Sequence, residues 1–216
     1  MSRTQRMTTD TLFVLGLSTA FLWCGAQALR AFTTMQGVSL AQYTAFTIGF
    51  MIQLALALEA RRKTKGRIIS QQVSLFVAWS TCSLLLMGAV LLQGSYHWSA
   101  VDTTIALVAS VGMILTLMWA VSSMKPMHDA AVRAWINISL KSLPQFLLVA
   151  KIWSEGSAGI TTTAIVLGEI SILTRLIPLS ISMKTEGVNR DKVWLWISDA
   201  VNLASWTVVI VIWFIK

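Results

Sequence analysis

The sequence predicts an all-α integral membrane protein of seven transmembrane helices, set out as two parallel three-helix units joined by a connector in a 3+1+3 arrangement. Composition comes first: 56% of the 216 residues are hydrophobic and only 12% are charged, with a mean hydropathy of +0.70. A soluble domain carries about 25% charged residues. Second, the chain divides into seven apolar stretches, 11–31, 39–58, 70–92, 100–123, 131–153, 160–182 and 192–215. Each is near the ~20 residues that a helix needs to cross ~30 Å of hydrocarbon, which leaves no room for a soluble catalytic domain. Third, stretches 1–3 and 5–7 have matching spacing, and an odd number of spans in each unit requires one inverting connector to make the units parallel. The organisation is therefore 1–92 for the first unit with its basic tail, 93–130 for the connector span and its loops, and 131–216 for the second unit.

Span 1 follows a polar, basic start, MSRTQRMTTD. Its apolar run outlasts that of a secretory signal and lacks a small-residue cleavage pattern, so it reads as a retained span. Span 2 ends at the basic run Arg61, Arg62, Lys63, Lys65 and Arg67. With Arg3, Arg6, Lys125, Arg133, Lys184, Arg190 and Lys192, that run places twelve of the 17 basic residues on one side. Arg30, Lys151 and Lys216 fall on the other. Basic loops stay in the cytoplasm, so the N-terminus is expected inside and the C-terminus outside, in a cell (inner) membrane. The net charge of +8 is thus topology rather than nucleic-acid binding, and a contact of residues 61–67 with anionic membrane lipid is compatible with it. Cys24 and Cys82 fall inside spans 1 and 3, where small packing residues are the expectation. Trp98, Trp119, Trp135, Trp153, Trp194 and Trp213 lie near span ends, as an interfacial belt requires, whereas Trp23, Trp79 and Trp206 lie deeper.

Span 5 carries Pro144, which cannot donate to its helix and clashes with the preceding turn, so a kink with a freed carbonyl is expected there. Asn137, Lys141 and Gln145 recur every four residues on one face of that span. Polar side chains at mid-bilayer cost roughly 2.5–3.5 kcal/mol on insertion scales for charged types, so this face is expected to look inward. Span 6 contributes Glu169 and Arg175, and span 7 contributes Asp199, Asn202 and Trp206. Lys141 is expected to pair with Glu169 or Asp199, Arg175 to snorkel to headgroups, and Asp199 with Asn202 to serve either recognition or interhelical contact. The first unit offers uncharged groups at matching depth, Gln27, Ser80, Thr81 and Ser83.

The two units also match in residues. Gly25-Ala26-Gln27 followed by Gly37-Val38-Ser39-Leu40 parallels Leu143-Pro144-Gln145 followed by Ser157-Ala158-Gly159-Ile160-Thr161. The second set, with Lys151 between its parts, resembles the signature of the PQ-loop family, which includes the SWEET sugar transporters, cystinosin-like lysosomal exporters and the KDEL receptors. The resemblance covers all seven spans in architecture, while the motif is sharp only in span 5. It implies a 3+1+3 bundle that moves a small polar solute by alternating access, with Pro144 and Pro178 as hinges. Ala26-Gln27 stands where the family has Pro-Gln, span 2 lacks a proline, and SWEET-like members place the N-terminus outside. Bacterial nicotinamide-riboside-type vitamin transporters resemble the same plan.

The resemblance frames a substrate site by an asparagine in each of spans 3 and 7 and a tryptophan in each of spans 2 and 6. Asn202 matches in span 7, Thr81 or Ser83 stands in span 3, and spans 2 and 6 have no tryptophan. Asp199 is similar to the span 7 carboxylate of proton-coupled members. The candidate substrate-binding residues are therefore Gln27, Thr81, Asn137, Lys141, Gln145, Glu169, Asp199 and Asn202, expected to converge on one midplane cavity. No cofactor or metal is called for. A retinal protein would need a buried lysine in span 7, where Lys192 and Lys216 stand only at the ends, and an enzyme lacks a catalytic constellation. The competing reading is a non-transporting receptor or a structural subunit of a larger membrane complex. Expected partners are membrane lipid, a small-molecule solute and, in either reading, further copies or membrane-complex subunits, with no nucleic acid.

Overall fold

The computed structural model describes residues 3–63, 67–94 and 96–216. All regular structure among them is helical: α1 (Arg3–Ala31), α2 (Leu40–Lys63), α3 (Arg67–Gln93), α4 (Ala100–Ser122), α5 (Ala130–Asn137), a π-helical segment (Ile138–Ser142), α6 (Leu143–Glu155), α7 (Thr162–Glu186) and α8 (Arg190–Ile215). Six of these, α1–α4, α7 and α8, are long and apolar enough to cross a membrane, and the chain is a multi-pass membrane protein.

Short polar side chains start most of the helices. Ser39 accepts from the backbone N–H of Gln42 at 3.1 Å, Thr161 from that of Ala164 at 2.9 Å, and Asn189 from that of Lys192 at 2.9 Å. Ser99 and Asp102 form a reciprocal capping box at the start of α4, which satisfies N–H groups that have no partner inside the helix. α1 begins at Arg3, well before its apolar run, because no proline or glycine interrupts the polar start. Lys65 lies outside the described residues, as do the side chains of Arg3, Arg6, Lys63 and Arg67.

The fifth apolar stretch departs from expectation. In place of one regular span over 131–153, α5 passes through the π segment before α6 begins. Pro144 supplies the reason. In a regular helix its ring would clash with the carbonyl of Leu140, and it has no N–H to offer; the turn before it is widened instead, and the Leu143 N–H reaches back to the Ile138 carbonyl. Neighbouring helices make room. Gly112 of α4 meets the Ser139 side chain, where a Cβ would sit 2.9 Å from its hydroxyl, and Gly49 of α2 meets Leu140 and Lys141.

α3 packs against both α1 and α2, and α8 packs against both α6 and α7. Across the molecule α1 lies on α7, while α2 lies on the π segment and α6. α4 covers α6, α5 and the π segment from outside and also touches α2. Three buried apolar clusters result: one around Trp23, Tyr43, Phe50 and Trp79, a second around Leu148, Ile165 and Trp206, and a third around Ala109, Val132 and Ile136. Large apolar side chains cover the outside instead of water-loving ones, among them Leu85 and Leu92 of α3 and Leu107, Ile114 and Met118 of α4. Such continuous apolar surface suits hydrocarbon as solvent.

The turn 32–39 docks on the turn 156–161. Gly159 donates its N–H to the Gln36 carbonyl at 2.8 Å, and any Cβ on Gly159 would strike Gln36 and Val38. Glycine is therefore required there by close backbone approach.

Candidate functional site

A cavity of about 50 Å³ lies where α1, α2 and α3 face α6, α7, α8 and the π segment. The widened turn before Pro144 positions its first functional group. Lys141 is buried at 6% exposure, and its ammonium sits 4.1 Å from the centroid of the Phe50 ring. One turn later Gln145 is buried too, and its Oε1 accepts from the Ser205 hydroxyl at 2.7 Å. Its amide N–H groups are what remains for the cavity. Asn202 of α8 lines the same space with its Oδ1 buried and unpartnered.

Arg175 of α7 reaches the wall as well. Its guanidinium pairs with Asp199 at 3.2 Å, while its Nε is buried without a partner. Aromatic side chains supply the rest: Trp23, Phe46, Phe50 and Trp79 from one side and Trp206 from the other. Phe50 stacks on Trp79 with centroids 5.2 Å apart. Trp206 is held in place by its indole N–H, which donates to the Ile165 carbonyl at 2.9 Å. Gly168 beneath it makes room, because a Cβ there would overlap the indole.

Of the eight candidate residues, the cavity gathers three: Lys141, Gln145 and Asn202. Gln27 instead ties α1 to the 156–161 turn, donating to the Gly159 carbonyl at 2.6 Å and accepting from the Thr161 N–H at 3.2 Å. Asn137 accepts from Gln53 at 3.4 Å, and Gln53 in turn accepts from Arg133 at 3.1 Å. Glu169 accepts from the Thr207 hydroxyl at 3.3 Å and keeps its other oxygen buried and unpartnered. Thr81 is a correction: it points out of the bundle on the exposed face of α3, one residue away from the buried Ser80 and Cys82.

The charge pairing is corrected too. Asp199 takes Arg175, so the guanidinium is engaged by a carboxylate of α8. Lys141 is left facing an aromatic ring in place of Glu169 or Asp199. Pro178 sits within α7, which continues through it to Glu186. Cys24 and Cys82 are buried and free.

Sequence reasoning missed a second polar centre. Lys151, expected on the outer side with Arg30 and Lys216, is 1% exposed and forms an ion pair with the fully buried Asp102. Ser39 donates to that carboxylate at 2.7 Å, and Ser99 donates through its N–H at 3.0 Å and its hydroxyl at 2.8 Å. Tyr96, in the loop before α4, accepts from the Leu40 N–H at 2.9 Å. Burial and the neighbouring Asp102 push its phenol well above the usual range, so it stays protonated. Above this cluster lies an open depression of about 600 Å³, bordered by Gln36, Tyr96, His97, Lys151 and Glu155. The Ser99-x-x-Asp102 pattern before an apolar run was the readable signal.

Comparison of the chain with family models, with curated proteins and with solved structures gives no match.

Proposed function

We propose that the chain is a transporter that moves a small polar solute by alternating access, built as two parallel three-helix units, α1–α3 and α5–α8, with α4 as connector. The observation that carries the reading is the cavity between the two groups of helices, walled from both and lined by Lys141, Gln145 and Asn202. The packing supports it: α3 sits between α1 and α2 as α8 sits between α6 and α7, and α1 on α7 mirrors α2 on the π segment and α6. Both units cap their second helix after a matching turn, Gly37-Val38-Ser39 and Gly159-Ile160-Thr161. The Pro144-Gln145 resemblance to PQ-loop proteins points the same way. In this reading the basic end faces the cytoplasm with the N-terminus, the membrane is the inner one, and Pro144 with Pro178 absorbs the rocking. Protons are coupled through Asp199 or Glu169.

A second reading, a non-transporting receptor or structural subunit, is favoured by one feature: Gln27, Asn137 and Asp199 are engaged in contacts between helices. Solute uptake by proteoliposomes with and without a pH gradient separates the two. Flux of none of a broad solute panel would remove transport, and unchanged pH-driven flux in Asp199→Asn would remove coupling through that residue.

A further inference from the structure

We infer that the cavity takes a small organic monoanion, a carboxylate or sulfonate head on a short apolar body. This inference rests on reading that cavity as the binding site of a transporter and narrows its solute to one chemical class.

The charged groups on the wall are cations, Lys141 and Arg175, beside the amides of Gln145 and Asn202 and the Ser171 hydroxyl. Lys141 presents an ammonium with no acidic partner among the described residues. Gln145 has its oxygen engaged by Ser205 and so offers N–H. Arg175 adds a buried, unpartnered Nε. The unpaired edge of the Asn202 amide becomes a donor by a half-turn that exchanges its oxygen and nitrogen. Among the described residues no carboxylate lines the space: Asp199 is turned to Arg175, which it neutralises. The lysine is therefore the uncompensated charge of the wall. Removing an ammonium from water costs several kcal/mol, and a phenyl face returns only about 0.5–2 kcal/mol of that. An incoming anion supplies the missing partner.

Size and the aromatic walls define the rest of the ligand. A water needs about 10–15 Å³ of such space, so 50 Å³ corresponds to a solute of a few heavy atoms. A hexose or a nucleoside does not fit this conformation. Trp23, Phe50, Trp79 and Trp206 present apolar faces, which a hydrated inorganic ion would leave uncovered and a short alkyl chain would fill.

The test is calorimetric titration of the purified full-length protein in detergent with propionate, with its neutral isostere propionamide, and with nitrate. Propionate is expected to bind at least about tenfold more tightly than either, the factor that a hydrogen bond to a charged group carries. Lys141→Gln is expected to lose a similar factor, and Lys141→Arg to retain most of the affinity. Propionamide or nitrate binding as tightly as propionate, or no propionate binding, overturns the inference, and the isostere comparison needs no variant to fold. Proteoliposome flux of ethanesulfonate, an anion that does not cross lipid as a neutral acid, separates the two levels. Propionate binding without any flux sinks the transport reading and leaves the anion site standing. Flux of a neutral solute without propionate binding sinks the anion class and leaves transport standing.

Discussion

Removing Asp102 is expected to cost more stability than removing Lys151, although the two form one buried ion pair. The difference follows from what each leaves behind. In Lys151→Met the carboxylate keeps the Ser39 hydroxyl at 2.7 Å, the Ser99 N–H at 3.0 Å and the Ser99 hydroxyl at 2.8 Å. The charged hydrogen bond is lost, about 1.5–3 kcal/mol, together with the lysine's contacts to Ser99 and to the partly exposed Glu155. In Asp102→Ala the lysine keeps Ser99 at 3.0 Å and Glu155 at 3.2 Å. The Ser99 N–H and Ser39 hydroxyl, however, lose their acceptor, and half of the α4 capping box disappears. Breaking a buried pair in this way costs about 3–5 kcal/mol, with roughly 1 kcal/mol of it from the cap. The double variant leaves no uncompensated charge between them and should fall short of the sum by about 0.5–3 kcal/mol. Thermal unfolding of the three variants in one detergent measures both the order and the coupling. A strictly additive double variant, or Lys151→Met as the more costly single change, would refute the reasoning.

Gly168→Val drives a side chain into the Trp206 indole and breaks its bond to the Ile165 carbonyl. The expected loss is about 1–3 kcal/mol from overpacking, with a changed tryptophan emission, and an unchanged spectrum and melting temperature would count against it. Asp129 caps α5 through the N–H groups of Ala131 and Val132; partial burial pushes its carboxyl up, but those N–H groups and Lys125 outweigh that and hold it below the usual carboxylate range. A depressed folded-state pKa contributes stability that is present above the ordinary value near 4 and lost as pH falls through the folded one. Asp129→Asn should keep most of the cap and flatten that acid limb of a stability-against-pH curve, and an acid limb identical to the parent's would exclude this carboxyl as its source.

Membrane class and six long apolar helices were legible because they depend on sums over many residues: a charge content of 12% and apolar runs of sufficient length survive errors at single positions. Caps were legible in principle, since Ser39, Ser99 and Thr161 each stand just before an apolar run. Side-chain partnership was not. Lys151 and Asp102 are 49 residues apart, and nothing in either local pattern says that α4 brings its first turn against α6. Thr81 fails for the opposite reason. Depth along a span was readable, but the facing of α3 depends on which neighbours it touches, and its apolar residues lie on every side. The aromatic walls escaped because Trp23, Phe50, Trp79 and Trp206 come from four helices, while the resemblance directed attention to tryptophans in spans 2 and 6.

Under the proposed two-unit arrangement, Gln27 and Gln145 occupy equivalent places yet do different work, and the residue before each explains why. Ala26 leaves α1 regular, so Gln27 projects along the bundle and fastens the opposite turn through both ends of its amide. Pro144 deprives its helix of a donor, and the turn before it opens into the π segment. That opening advances Lys141 across to Phe50 and sets Gln145 beside Ser205 rather than on a turn. One proline thus converts a fastening position into a cavity position. The same substitution explains why the charge gathers in one unit: a widened turn offers room between α2 and α8 that a regular helix does not, and a lysine needs that room to lie in the interior without an acidic neighbour. The unit with Ala26 holds the frame, and the unit with Pro144 presents the chemistry.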